Sequence, residues 1–364
     1  MSLDFGIIGL AGSGRTTVFS ALTGVVTSGG QESSPRIATA KVPDSRLGVL
    51  ADMFPGRKVV PAEARYLDIG ASLKTLAEGG GIGGKLLGEL SQVDALLEVV
   101  RAFQNDRIPL PEGGLDVGRD ISSLNSELAF SDLLIIERRL ERLEVSLRSA
   151  KPADRTPLVK EQTLLLRLKK ELEGDRPLRE LSLSPEEARV IANYQFLTAK
   201  PLLIVINIGE KDISRADAVE AELKSRYSRP GCLLTALCAG LESELAQLDS
   251  ETQLSLRAEY GLKESGRDRV IRLSYELLGL VSFLTVVGDE IRAWPIPNGT
   301  IALKAAGKVH TDMERGFIRA EVVSFADLVA SGSLAEARKR GLLRAEGKNY
   351  VVKDGDVINF LFNV

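Results

Sequence analysis

Residues Gly9-Leu10-Ala11-Gly12-Ser13-Gly14-Arg15-Thr16 follow a short apolar run, Phe5-Gly6-Ile7-Ile8, and precede a stretch with helical periodicity through Leu22. Strand, glycine-rich loop and helix in that order constrain the fold more than any other feature of the chain. The pattern G-x-x-x-x-G-K-[ST] is met at every defined position except the lysine, which is Arg15. Glycines let successive N–H groups curl around a phosphate, and the helix N-terminus adds partial positive charge. Thr16 would offer a hydroxyl to Mg²⁺. Arg15 is longer, planar and forked where lysine is a compact point charge, so its pose on phosphate is expected to shift. A glycine-rich turn without a ligand has the same outline, so the surroundings must decide.

Further apolar strands are expected at 64–67, ending on Asp68, and at 95–100, 202–206 and 233–237. Helical stretches separate them. This alternation predicts an α/β fold, a mostly parallel sheet with helices on both faces.

Residues 126–194 have a different texture. Leu133, Ile136, Leu140, Leu143 and Leu147 recur three and four apart, and Leu158, Leu165, Leu168 and Leu172 repeat the stripe after a break at Lys151-Pro152. A heptad seam with wide polar faces predicts an inserted α-helical coiled-coil hairpin rather than two ordinary surface helices. Ser184-Pro185-Glu186-Glu187 carries the signals of a helix start. From about 279 the chain reads as a small α+β module, with strands expected at 282–287, 318–323 and 357–362.

Composition narrows the function classes. The chain has 364 residues, 44% hydrophobic and 27% charged, which is ordinary for about two or three globular domains. A net charge of -3 excludes bulk basic attraction to nucleic acid, so DNA is not expected and any RNA contact needs a local patch. Cys232 and Cys238 fit no common zinc spacing and are expected to be ordinary reduced cysteines. The start lacks the basic region of a signal peptide, and no apolar run approaches the roughly 20 residues of a membrane span. A cytoplasmic monomer is the expectation.

The residues beyond the loop resemble a known family. Gly6-Ile7-Ile8-Gly9-Leu10, Pro43-Asp44-Ser45-Arg46-Leu47, Asp68-Ile69, the glycines at 79–84 and Val99-Val100-Arg101-Ala102-Phe103-Gln104-Asn105-Asp106 are similar to the YchF, or Obg-like ATPase, family. The resemblance implies an Obg-related P-loop NTPase core at 1–125 and 195–278, a helical hairpin at 126–194 and a β-grasp-like TGS domain at 279–364. It also implies binding of ATP or GTP with Mg²⁺. Gly9, Ala11, Gly12, Ser13, Gly14, Arg15, Thr16 and Thr17 are the expected nucleotide ligands, with Thr16 and Asp68 serving the metal. Asn207-Ile208-Gly209-Glu210 stands where GTPases read the base through N-K-x-D. The family's N-x-x-E is associated with ATP, and Asn207 would tie this loop to the phosphate loop or touch the base. Cys238, Ala239 and Gly240 occupy the place of the last base-contacting loop.

Four positions depart from an active hydrolase: Arg15, Ala71 in place of the glycine of D-x-x-G, Ser72, and a switch I within 27–40 that offers only Ser33, Ser34 or Thr39. Hydrolysis tolerates such losses badly, so slow turnover or a pseudo-NTPase scaffold is expected.

The C-terminal module follows the family closely at Trp294-Pro295-Ile296-Pro297, at 305–312, at 315–320 and at the final Asn359-Phe360-Leu361-Phe362-Asn363-Val364. His310, the only histidine, has no nucleophile motif beside it and is expected to be structural or part of a recognition surface. Arg338, Lys339, Arg340, Arg344, Lys348 and Lys353 form a basic cluster in sequence. It is either a solvated face or an RNA-phosphate contact. A nucleotide-binding protein associated with the ribosome or RNA is the leading expectation.

Overall fold

The computed structural model describes residues 3–26, 35–69, 84–111, 113–262 and 264–363. Gly70, Ala71, Ser72, Ser33, Ser34 and residues 79–83 therefore lie outside the described residues. The chain divides into two compact units, 1–40 with 65–273 and 41–64 with 274–364.

The first unit is built on a six-stranded sheet. Its strands are β1 (Asp4–Gly9), β2 (Arg36–Lys41), β4 (Glu63–Asp68), β5 (Ala95–Ala102), β6 (Leu202–Ile208) and β7 (Cys232–Leu237), in the order β2-β4-β1-β5-β6-β7. The pairs β1 with β4, β1 with β5, β5 with β6 and β6 with β7 are all parallel. β5, β6 and β7 are near-continuous apolar runs because both faces are covered. Ile8, Leu96, Val100, Ile204 and Ile206 pack with Leu86 and Leu90 of α3 (Gly84–Gln92) and with Ile121, Leu124 and Leu128 of α4 (Val117–Ser149). Period-two alternation sends Phe5 and Ile7 to the opposite face, both fully buried. β2 carries no apolar run, and its residues are mostly half-exposed or exposed. That pattern explains why it is not among the strands expected from sequence.

The hairpin is α4 followed by α5 (Pro152–Glu173). Most of the expected seam forms: Ile136, Leu143, Leu165, Leu168 and Leu172 are buried, with Leu133, Leu140 and Leu158 packed against them, while Leu147, expected in the stripe, is only half-buried. The first helix, however, begins at Val117 rather than at 126. Ile121, Leu124 and Leu128 pack on the sheet before the same helix runs on into the seam, so no boundary falls at 126. Asp132 fastens the returning chain. Its carboxylate accepts from the backbone N–H groups of Leu197 and Thr198 and from the Thr198 hydroxyl, at 2.6–2.9 Å. Further on, α6 (Pro185–Ala192) opens with the Ser184/Glu187 capping box.

The second unit holds a mixed six-stranded sheet. It contains β3 (Lys58–Val60), β8 (Leu280–Thr285), β9 (Glu290–Pro297), β10 (Phe317–Ser324), β11 (Arg344–Glu346) and β12 (Asp356–Phe362), in the order β11-β10-β12-β8-β9-β3. Residues 1–125 are expected from sequence to belong to the nucleotide core, yet Lys41–Ala64 groups with this unit. β3 pairs in parallel with β9, and Arg46 of α2 (Ser45–Met53) holds both Asp44 and Asp354 at 2.8 Å. A three-residue edge strand and one long-range ion pair leave little trace in local sequence. The helix Ala302–Val309 lays Ala302, Ala305 and Ala306 against Phe283, Ile296, Phe317 and Phe360. Small residues on that stripe let the helix sit close to the sheet. Among the described residues, no helix is long and apolar enough to cross a membrane.

Candidate functional site

The carboxyl ends of β1, β4, β5, β6 and β7 meet along one edge of the first sheet, where open parallel sheets bind ligands. Register aligns them: Gly9 lies beside Val99, Arg101 beside Asn207, and Asn207 beside Leu237.

β1 ends at Gly9, and the chain turns through Gly12 at φ 74° and Gly14 at φ 88° into α1 (Arg15–Thr23). Both glycines sit in the left-handed region, which costs a residue with a Cβ roughly 1–2 kcal/mol. Gly14 is the N-cap of α1 and supplies no capping side chain, and a helix N-terminus of this kind suits an anion. Any Cβ at Gly14 would collide with the Asn207 amide. Asn207 is 4% exposed; its Nδ2 donates to the Ser13 carbonyl at 3.0 Å, and its Oδ1 accepts from the Ala239 N–H at 3.2 Å. One buried amide thus joins the phosphate loop, the end of β6 and the loop after β7.

The next two residues reach toward β4. Thr16 Oγ1 donates to Asp68 Oδ2 at 2.9 Å. Arg15 Nη1 donates to the Ile69 carbonyl at 2.9 Å. Burial holds the Arg15 pKa below its ordinary value, and the Asp68 carboxylate pulls it back up. Arg36 Nη1 stands 4.0 Å from Asp68 Oδ2. Asp68 is 3% exposed, and its second oxygen, Oδ1, has no hydrogen-bond partner. A hydroxyl beside a buried carboxylate oxygen left unpaired is a hard-oxygen donor set of the kind Mg²⁺ prefers. Thr39, the described switch I candidate, lies exposed on β2.

Beside the loop is a cavity of about 740 Å³. Gly14, Thr17, Asn207, Glu210, Cys238 and Gly240 line it, all of them expected site residues. Phe103, Ile108 and Lys211 line it as well and were not singled out from sequence. Phe103 lies in the run 99–106 that resembles the family, just beyond the end of β5, and its ring edge comes within 3.7 Å of the Gly14 Cβ direction. An aromatic ring and the stem of an exposed lysine at a strand-end cavity suit the two faces of a nucleobase. Cys238 is partly buried, and burial raises its thiol pKa, so it remains a neutral thiol.

Ala11 and Ser13 face a second cavity of about 280 Å³, shared with Glu98 of β5 and with Asp120 and Ser123 of α4. Glu98 is 1% exposed. Burial pushes its carboxyl up to about 8, with Arg179 opposing and Asp120 reinforcing the shift. Gly9 is packed where any Cβ would meet the Val99 carbonyl and Ser13 Oγ.

Four cations of the basic cluster in the second unit have carboxylate neighbours. Arg338 pairs with Glu321 at 2.8 Å, Arg340 with Glu336 at 3.2 Å, Arg344 with Glu346 at 3.1 Å, and Lys339 approaches Glu336 at 3.9 Å. Lys348 and Lys353 are exposed. His310 caps the short helix Thr311–Arg315, with Nδ1 accepting from the Asp312 N–H at 3.2 Å.

A parallel sheet in this strand order, a glycine loop opening a helix at its carboxyl edge, and a Thr–Asp pair beside that loop define a P-loop NTPase core. Comparison with known proteins narrows the class. A family model named YchF-GTPase_C, described as a protein of unknown function (DUF933), matches residues 280–363. The chain is 38% identical to the ribosome-binding ATPase YchF of Bacillus subtilis (strain 168), with all of both chains covered. It is 37% identical to the protein of that name from Escherichia coli O157:H7, again over the whole of both. The solved structure of the Schizosaccharomyces pombe YchF GTPase superimposes with a TM-score of 0.85 at 29% identity, covering 99% of this chain and 98% of that one. The chain belongs to the YchF family.

Proposed function

We propose that this chain is a nucleotide-dependent switch that binds ATP or GTP at the P-loop and associates with the ribosome. The observation that carries the nucleotide half is the joint made by Asn207, which holds Ser13 of the phosphate loop and Ala239 beside the base cavity in one hydrogen-bonded unit. The N–H groups at the start of α1 would cradle the phosphates, and Arg15 would offset their charge. Phe103 and Lys211 would flank the base, and Glu210, exposed at the cavity rim, would meet its edge. Thr16 and Asp68 would hold Mg²⁺, which when bound neutralises phosphate oxygens. Turnover with water as nucleophile is expected to be slow, because the Arg15 fork is engaged by the Ile69 carbonyl and not poised as a point charge.

The ribosome half rests on the relatives named ribosome-binding ATPase and on matches that span the whole chain. Arg338, Lys339, Arg340 and Arg344 sit in exposed pairs with Glu321, Glu336 and Glu346, pairs weak enough to exchange for phosphate, so the cluster stays a candidate RNA contact. Cosedimentation with ribosomes in no nucleotide, a non-hydrolysable ATP analogue or the GTP analogue tests the switch. Association that depends on the nucleotide supports it. Equal cosedimentation in all three conditions supports a nucleotide-independent scaffold, and none in any condition removes the ribosome from the account.

A further inference from the structure

The closed end of the hairpin differs from its base in how its charges are matched. Nearer the sheet, Arg139 is held by Glu161 at 2.8 Å, Lys169 by Glu137 at 2.8 Å and Arg167 by Glu187 at 3.0 Å. Toward the turn between α4 and α5 this pairing stops. Arg142 and Arg148 of α4, Lys151 at the turn, and Arg155 and Lys160 of α5 are all exposed. Among the described residues, none of these five side chains has an ion pair or a hydrogen bond. From 142 to 160 the five cations stand against two carboxylates, Glu144 and Asp154, so this segment carries a net charge of +3 in a chain whose net charge is -3. Every described side chain from 144 to 157 other than Leu147 and Ala150 is exposed, so the end serves no packing within the fold. At about 1.5 Å of rise per residue, α4 carries its last turn about 30 Å past Leu128, where the helix leaves the sheet.

Unmatched cations held close together repel one another and favour a ligand of opposite charge. Three of the five are guanidinium groups, whose planar forks match phosphate oxygens two at a time. Residues 141–160 include no aromatic side chain. The end therefore offers no ring for an unstacked base to lie on, and no aromatic anchor for a lipid surface. Cations spread over two helices and a turn suit the phosphate rows of folded RNA, which is recognised through shape and backbone. We propose that the closed end of the hairpin, through Arg142, Arg148, Lys151, Arg155 and Lys160, contacts the phosphate backbone of structured RNA without reading its sequence.

This inference rests on the ribosome-binding reading above and names a surface that would carry it. The test is cosedimentation with ribosomes and, beside it, filter binding of protein-free ribosomal RNA, from about 50 to about 200 mM salt. Four full-length proteins are compared. They are the unmodified chain, the neutral triple variant Arg148→Gln/Lys151→Gln/Arg155→Gln, the charge-keeping Arg148→Lys/Lys151→Arg/Arg155→Lys, and a control, Arg189→Gln/Arg226→Gln/Arg229→Gln, which removes three exposed cations elsewhere. All of these positions are exposed, so the variants keep the fold, which helical circular dichroism checks. The neutral hairpin variant is expected to bind both targets at least about tenfold more weakly, with the slope of log K against log salt shallower by about 2. The charge-keeping variant and the control stay within about threefold of the unmodified chain. An unchanged Kd and slope in the neutral hairpin variant, or an equal loss in the control, overturns the inference and leaves ribosome binding intact. Loss on ribosomes without loss on free RNA, or ribosome binding with no RNA binding at all, assigns the end to an acidic protein and overturns the RNA contact. No binding of the unmodified chain to either target overturns the ribosome reading itself, and the inference with it.

Discussion

Thr16 Oγ1 donates to Asp68 Oδ2 at 2.9 Å and so joins the first turn of α1 to the last residue of β4. The bond sets where the hydroxyl sits relative to the phosphate loop and satisfies one oxygen of a carboxylate that is 3% exposed. Thr16→Val keeps the shape and removes the donor. It is expected to cost about 1–3 kcal/mol of stability, because the buried acceptor loses its partner. Chemical denaturation of the two proteins measures the difference, and equal stabilities would show that the pair carries no weight.

Gly14→Ala is expected to fold with a disturbed loop. The new Cβ must adopt φ near 88° and meets the Asn207 amide. Strain of roughly 1–2 kcal/mol adds to the displaced hydrogen bonds. A thermal melt should show the loss, and nucleotide titration should show weaker binding than in the unmodified chain. A variant matching it in both would mean that the loop does not need the left-handed glycine.

Asn207→Ala leaves the Ser13 carbonyl and the Ala239 N–H without their buried partner. A destabilisation of about 1–3 kcal/mol is expected. Slowed amide exchange at Ala239 in the unmodified chain should be lost in the variant. Unchanged exchange there would contradict the role of the amide as a joint.

The loop and Asp68 are local signals at the ends of apolar strands, whereas Asn207 is picked out only by the family resemblance, since N-x-x-E alone is a weak motif. The hairpin seam was legible for the same reason as the loop: Ile136, Leu143, Leu165 and Leu168 repeat at a helical spacing that burial then respects. What escaped was long-range. β3 is three residues long and finds β9 more than two hundred positions later, and Arg46 finds Asp354. No window of sequence contains either pair. The partners of the basic run at 338–344 escaped for a related reason. Cations can be counted along the chain, but Glu321, which neutralises Arg338, arrives from β10. Phe103 and Lys211 became site residues only when the carboxyl ends of β5 and β6 came side by side.

Glu98 predicts a pH dependence. Its carboxyl is pushed from 4.5 up to about 8 by burial, so the folded chain holds a proton that the unfolded chain releases at lower pH. Its contribution to stability is complete below about 4.5 and is lost as pH rises through about 8. Relative to Glu98→Gln, the unmodified chain should lose up to about 1.4 kcal/mol per pH unit across that window and nothing further above it. Denaturation midpoints of the two proteins from pH 5 to pH 9 measure the gap. A gap that stays constant with pH would show that Glu98 ionises as an ordinary carboxylate.

Leu165→Ala tests the hairpin. Leu165 is fully buried in the seam between α4 and α5, and its truncation is expected to cost about 2–5 kcal/mol. Leu166→Ala, one position on and 52% exposed, should cost well under half of that. Equal effects would mean that the two helices do not pack along this stripe.

The most direct measurement is calorimetric titration of the full chain and of Gly14→Val with a non-hydrolysable ATP analogue. Saturable binding by the unmodified chain, abolished in the variant while its helical circular dichroism is retained, is the predicted result. No heat of binding from the unmodified chain at millimolar nucleotide, or undiminished binding by Gly14→Val, would contradict the assignment of this loop as the phosphate site.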